Sequence, residues 1–197
     1  MLIEKTVLQG EKVRLEPLSA IHLAGLADAI RDGELWQLPI TFVPHPDDLP
    51  SFLHDAQRQF SAGLELAFAT VDQASGTIVG STRYRCIEAK HRRVEIGFTF
   101  IAAAWQRSHI NTEAKWLMLQ HAFEVWQCNR VELLTDFRNQ KSRAAIARLG
   151  ATQEGILRSH MVMRDGHVRD SVVFSITAGE WANVKAGLMA KLHLYSQ

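Results

Sequence analysis

Apolar and polar positions along this chain switch between two periods. Alternation at every second residue marks strands, and recurrence at three and four residues marks helices. Lys12–Leu18 alternates through Val13 and Leu15 and predicts a first strand. From Ser19, a suitable N-cap, Ile21, Leu23, Leu26, Ala29 and Ile30 recur at helical spacing as far as Asp32-Gly33. Residues 35–46 hold Trp36, Phe42 and prolines, and read as an irregular loop that either covers the core or walls an acceptor pocket. A second helix starts near Pro46-Asp47-Asp48, carries Leu49, Phe52, Leu53, Ala56 and Phe60, and stops at Gly63. Strands follow at Leu64–Val71 and Thr77–Ile87, separated by the turn Asp72–Gly76. Gly80 inside the second of these signals a bulge or a close backbone approach.

In the next strand Val94, Ile96, Phe98 and Phe100 fall on one face, with Glu95, Gly97 and Thr99 on the other. The loop Ala102–Ile110 leads to a helix N-capped by Asn111 or Thr112 and running to Cys128, with Glu113 and Glu124 bracketing an apolar body. A strand at Arg130–Thr135 and a helix capped by Asn139 and closed by Gly150 come next. A hairpin follows, from Glu154–His160 through the turn Asp165-Gly166 to Val168–Ile176. The tail Ala178–Leu194 reads as a helix.

Short turns make the three strands between Leu64 and Phe100 antiparallel. The strand-helix-strand unit that follows requires a parallel pair with a right-handed crossover. The expected fold is therefore a mixed α/β (α+β) domain: a mostly antiparallel sheet with flanking helices, whose central strand pair splays where the pairing changes. One domain is expected over residues 1–197, with 177–197 as a C-terminal helical extension.

Composition narrows this reading by exclusion. A formal net charge of +1 leaves no electrostatic footprint for nucleic acid, and Lys90-His91-Arg92-Arg93 reads as a solvated turn. Cys86 and Cys128 form neither a disulfide framework nor a metal pattern and read as buried thiols; the nine histidines show no zinc spacing, so no metal is expected. No apolar run reaches membrane-spanning length, and the expected location is the cytoplasm.

The chemistry concentrates between Val94 and Glu113. A helix N-terminus offers unpaired N–H groups and partial positive charge, a seat for phosphate or pyrophosphate. Glu95 lies one strand-length away as an acid/base candidate. An anion cradle beside a carboxylate suits group transfer from a phosphate-bearing co-substrate.

The same stretch resembles the central motif of the GNAT superfamily of N-acetyltransferases, written Q/R-x-x-G-x-G/A. The matching residues are Gln106, Arg107, Ser108, His109, Ile110 and Asn111, followed by Thr112-Glu113-Ala114. His109 stands where glycine is usual and Asn111 where glycine or alanine is usual. The His109 ring either blocks the backbone approach, points outward or donates to a phosphate. Further matches follow in order: Arg130-Val131-Glu132-Leu133, Asn139-x-x-Ser142-Arg143, Leu149-Gly150-Ala151, Glu154-Gly155 and Asp170-x-Val172-x-Phe174-Ser175-Ile176. Together they resemble the branch that includes the ribosomal-protein alanine N-acetyltransferases.

That resemblance implies acetyl-CoA as the co-substrate. Its pyrophosphate would lie on Gln106–Asn111 and the helix start at Thr112. Its pantetheine arm would run along the splayed strand near Phe100 and Ile101, with contacts from Asn139 and Ser142. Glu95 matches the base of some members, and Ser142 is placed to protonate the leaving thiolate; a plain salt-bridged glutamate and a capping serine are the competing readings. His160 and Asp170 are further acceptor-side candidates, with Asp170 also suited to pairing with Arg158 or Arg169. The implied acceptor is a primary amine, either a protein N-terminus or a small molecule, and a homodimer fits a sheet with an exposed edge. A non-catalytic acyl-CoA-binding module on the same fold is the alternative, and a different acyl group such as succinyl is a third reading.

Overall fold

The strands are β1 (Leu8–Gln9), β2 (Val13–Pro17), β3 (Leu66–Asp72), β4 (Ile78–Glu88), β5 (Arg93–Ile101), β6 (Arg130–Asp136), β7 (Thr152–Val162) and β8 (Val168–Thr177). The helices are α1 (Leu23–Arg31), α2 (Leu49–Ser61), α3 (His109–Gln120), α4 (Gln140–Arg148) and α5 (Trp181–Leu194). This computed structural model describes residues 1–195; the last two residues of the predicted extension lie outside the described residues.

The strands form one sheet in the order β1-β2-β3-β4-β5-β6-β8-β7. All neighbours are antiparallel except β5 and β6. The predicted mixed sheet and its parallel crossover are both present. The insertion of β8 between β6 and β7 was not predictable from local pattern, because strand order is set by long-range pairing.

Two hydrophobic cores sit on opposite faces of the sheet. The larger gathers Phe68, Tyr84, Val94, Ile96, Met118, Leu119, Val131 and Ile176 under α3. Trp181 and Leu188 of α5 belong to it, and the Trp181 ring stacks on Phe123 at 5.2 Å, so the C-terminal helix is built into the core. The smaller gathers Leu26, Ile30, Val43, Leu49, Leu53, Ala67, Ala69 and Phe100 under α1 and α2. Leu35 and Val43 bury themselves there, so residues 35–46 do cover the core.

The predicted single face Val94–Ile96–Phe98–Phe100 is corrected. Phe98 adopts φ +45°, and the β4–β5 register shifts between Arg83↔Gly97 and Ser81↔Phe100. This β-bulge sets two residues of β5, Phe98 and Thr99, against Thr82 alone. A one-residue slip exchanges faces. Val94 and Ile96 therefore point to the larger core and Phe100 to the smaller one. Gly80 serves the same region by close approach: a Cβ there would collide with the Phe100 carbonyl oxygen.

The helix after β5 starts earlier than predicted. Ser108, not Asn111 or Thr112, is the N-cap; its hydroxyl accepts the Ile110 N–H at 3.3 Å and donates to the Trp105 carbonyl at 2.6 Å. The helix ends before Cys128, through one wide π turn at His121–Val125. Cys128 is buried as expected, but Cys86 is exposed at a positive-φ irregularity in β4. Among the described residues no helix is long and apolar enough to cross a membrane.

Candidate active site

The parallel pairing of β5 and β6 covers only Arg93↔Arg130, Val94↔Val131 and Glu95↔Glu132. Beyond Glu95 the strands diverge, leaving a slot at the carboxyl end of the parallel pair. The Ala102 N–H turns toward β4, bonding the Val79 carbonyl at 2.9 Å. Strand alternation then directs the main chain of Thr99 and Ile101 into the slot. The Ile101 carbonyl is taken by Gln106 Nε2 at 3.0 Å, which ties the loop to the strand end.

The α3 N-terminus opens at the same end. Arg107 turns through φ +62°, a left-handed conformation, and delivers the chain into the Ser108 cap. Ile110 is wholly buried, so only its backbone faces the loop side, while Asn111 stays half-buried in the first turn. The His109 ring turns toward the end of β3 and the C-terminal residues: its buried Nε2 lies 3.7 Å from Asp72 Oδ1, and the ring meets Tyr195 edge-on at 6.4 Å. Thr112 is buried, and its hydroxyl accepts from Arg148 Nη2 at 2.9 Å. Glu113 Oε1 accepts the Glu11 and Lys12 N–H groups at 2.6 and 2.9 Å, a structural role that clamps the β1–β2 turn.

On the other wall, Asn139 Oδ1 accepts the Ser142 N–H at 3.0 Å and caps α4. Capping is thereby assigned to Asn139, and the half-buried Ser142 hydroxyl makes no hydrogen bond among the described residues. A groove of about 360 Å³ lies alongside, lined by Gln140, Arg143, Ala144, Ala147, Gln153 and Phe174.

Glu95 sits at the last paired position before the slot and is buried. Burial pushes its carboxyl up from its ordinary value; the Arg85 guanidinium, whose Nη1 lies 3.3 Å from Oε1, opposes that shift, and Glu132 adds to it. A carboxyl raised in this way is better matched to proton transfer near neutral pH. The cluster around it was not identified from the sequence. Arg83 Nη1 donates to Glu65 Oε2 at 2.6 Å, and Arg85 Nε lies 3.6 Å from Glu65 Oε1. The Phe98 ring, turned to this face by the bulge, lies under both guanidinium groups at 5.0 and 4.4 Å. Phe42 packs edge-on against Phe98 at 5.9 Å, so residues 35–46 also wall this site. The available signal was Arg83-x-Arg85 within a strand, since alternate residues share a face.

His160 and Asp170 have local partners. His160 Nδ1 is 3.0 Å from Ser171 Oγ, and Asp170 Oδ1 accepts the Ser159 N–H at 2.7 Å. The expected partnership of Asp170 with Arg158 or Arg169 is replaced by this backbone contact. Among the described residues no group of three or more His, Cys, Asp or Glu side chains is arranged to hold a metal ion.

Comparison with known proteins agrees with this geometry. The family description "Acetyltransferase (GNAT) domain" matches residues 12–152. A GCN5-related N-acetyltransferase from Brucella melitensis superimposes with a TM-score of 0.85 at 31% identity, covering 96% of this chain and 86% of that one. Mycobacterium smegmatis RimJ, solved in complex with CoA-disulfide, gives a TM-score of 0.77 at 25% identity over 91% of this chain and 88% of its own. A Bacillus subtilis protein provisionally named ribosomal N-acetyltransferase YdaF is 28% identical over 177 residues, 87% of this chain and 92% of that protein. With a slot between diverging parallel strands, a helix N-terminus at its mouth and most of its length matched, this chain belongs to the GNAT family of acetyltransferases.

Proposed function

We propose that the enzyme carries acetyl groups from acetyl-CoA to a protein N-terminal amine, using Glu95 as the proton acceptor and Ser142 as the proton donor. The observation that carries this reading is the end of β5–β6 pairing at Glu95↔Glu132, which opens main-chain groups between a helix N-terminus and a buried carboxylate. The free first-turn amides of α3 suit the pyrophosphate. The Thr99 and Ile101 N–H groups, facing the slot, are placed to hold an acyl carbonyl oxygen as charge develops on it. Glu95 takes a proton from the acceptor's ammonium group, directly or through water, so that the neutral amine attacks the thioester carbonyl; as the C–S bond breaks, the free Ser142 hydroxyl gives a proton to the departing thiolate. The alternative, a non-catalytic acyl-CoA-binding module, has no use for a buried carboxyl at the base of the slot.

The choice of a protein amine draws on the relatives named for ribosomal targets, among them a ribosomal-protein-S5-alanine acetyltransferase from Vibrio fischeri. The long exposed edge strand β7, with Ile156, Leu157 and Val162 in solvent, supports pairing with a second copy of the chain. The exposed Cys86 thiol fits a reducing cytoplasm.

The test is release of free CoA thiol with acetyl-CoA and three acceptor sets: peptides with a free N-terminal alanine or serine, the same peptides N-terminally blocked, and small-molecule amines. Thiol release and one added acetyl group on the free peptides alone is the expected result. Transfer confined to small amines overturns the acceptor; no transfer to any amine overturns the function.

A further inference from the structure

Lys115 lies in the middle of α3 among residues that belong to the larger core. Met118, Leu119 and Ala122, its neighbours one and two turns on, are all buried, and so is Lys115 itself. Its Nζ donates to Thr82 Oγ1 of β4 at 2.9 Å and to Thr99 Oγ1 of β5 at 2.6 Å, and the two hydroxyls are 2.8 Å apart. These three groups close a triangle across the β4–β5 pair at the bulge, where Thr82 faces both Phe98 and Thr99. Tyr84 ties the same turn of α3 to β4, its hydroxyl donating to the Met118 carbonyl at 2.5 Å.

The groups that meet the Lys115 amine are thus the Thr82 hydroxyl of β4 and the Thr99 hydroxyl of β5. Among the described residues no carboxylate pairs with it. An ammonium would leave its third N–H unused here, whereas a neutral amine has two N–H groups and both are taken. Burial pushes the group down to about 7, in keeping with that count. A lysine buried without a counter-charge is a poor choice for packing alone, since an apolar side chain of similar length avoids the desolvation. What the triangle grips is the bulge. Phe98 is bulky and sits at positive φ, a conformation that persists only where its surroundings over-determine it.

We propose that Lys115 is a positioning residue for acyl transfer: through the Thr99 and Thr82 hydroxyls it clamps the β5 bulge and so fixes the Thr99 N–H that faces the donor slot. This rests on the acetyl-transfer reading above. The clamp grips β5 and not the first-turn amides of α3, so it governs the reacting end of the donor rather than its affinity.

Lys115→Met keeps the volume and removes the hydrogen bonds. The expected result is a kcat lower by about 30-fold or more, in the manner of a misplaced oxyanion donor, with the dissociation constant for CoA within about threefold of the parent. In the free protein, amide hydrogen exchange at residues 98–101 rises while exchange in α1 is unchanged. Thr99→Val reproduces both effects and Thr99→Ser, which keeps the hydroxyl, restores kcat. The proposal is overturned if Lys115→Met keeps kcat within about threefold of the parent, or if exchange rises throughout the fold. Should Lys115→Met not fold, equal kcat in Thr99→Val and Thr99→Ser overturns it. Absence of turnover in the parent would overturn the acetyl-transfer reading, and the exchange pattern at 98–101 would still decide whether the clamp exists.

Discussion

Glu95→Gln lowers kcat by about 10²–10³-fold, the range expected for losing a positioned general base, and leaves the dissociation constant for CoA within about threefold. The substitution preserves shape and the contact with Arg85 Nη1, so the loss reports proton transfer rather than packing. The pH profile carries the sign. Burial raises the Glu95 carboxyl from its ordinary value. Below that raised value the group is protonated and cannot accept a proton, so kcat/KM rises with pH through it. In Glu95→Gln that acid limb disappears. In Arg85→Met it moves to higher pH, because the opposing guanidinium charge is gone. Steady-state rates across pH for the three proteins check this. A Glu95→Gln enzyme within about fivefold of the parent would remove Glu95 from the chemistry.

Arg83→Met destabilises the fold by about 3 kcal/mol, the low end for breaking a buried ion pair, because Glu65 keeps the longer contact with Arg85 Nε at 3.6 Å. The Arg83 side chain is 3% exposed and that of Glu65 11%, and their contact is 2.6 Å. The guanidinium also lies over the Phe52 ring at 4.6 Å, so its loss opens space against α2. For a chain of this size the thermal midpoint falls by roughly 6–12 °C. The double variant Arg83→Met/Glu65→Gln recovers most of the loss, because a buried carboxylate left with only the longer Arg85 contact is what is expensive. Denaturant or thermal unfolding of the single and double variants reads both numbers. Equal midpoints for the two would mean that packing against Phe52, not charge, sets the cost.

Much of this architecture is written in local pattern. The antiparallel run β3–β4–β5, the crossover through α3 and the Asp165-Gly166 hairpin follow from alternation, helical spacing and turn residues. The departures have physical causes. Nothing in the alternation of residues 94–100 signals that a phenylalanine adopts positive φ, because the bulge is imposed by β4, helped by Gly80 and by the Lys115–Thr82–Thr99 contacts. Ser108 and Asn111 are both good caps within one turn, and the choice fell to Ser108, which also bonds the Trp105 carbonyl.

The candidate site was partly legible in the same way. Glu95, Gln106–Asn111, Asn139 and Ser142 could be named as candidates because they lie at or just beyond the ends of the two parallel strands; their roles are those proposed above. Arg83, Arg85 and Glu65 were not found because their partnership joins separate strands. Lys115 was hidden inside an apolar helix, where periodicity reads a polar residue as an interruption rather than as the centre of a network.

The most direct test of the donor slot is amide hydrogen exchange of the enzyme with and without acetyl-CoA. Protection centred on Thr99 and Ile101 and on the first turn of α3 at 108–112 is the predicted result, since on the proposed reading those amides face the slot and its mouth. Protection instead around Gln140, Arg143 and Gln153, the walls of the neighbouring groove, would place the donor elsewhere and contradict the assignment.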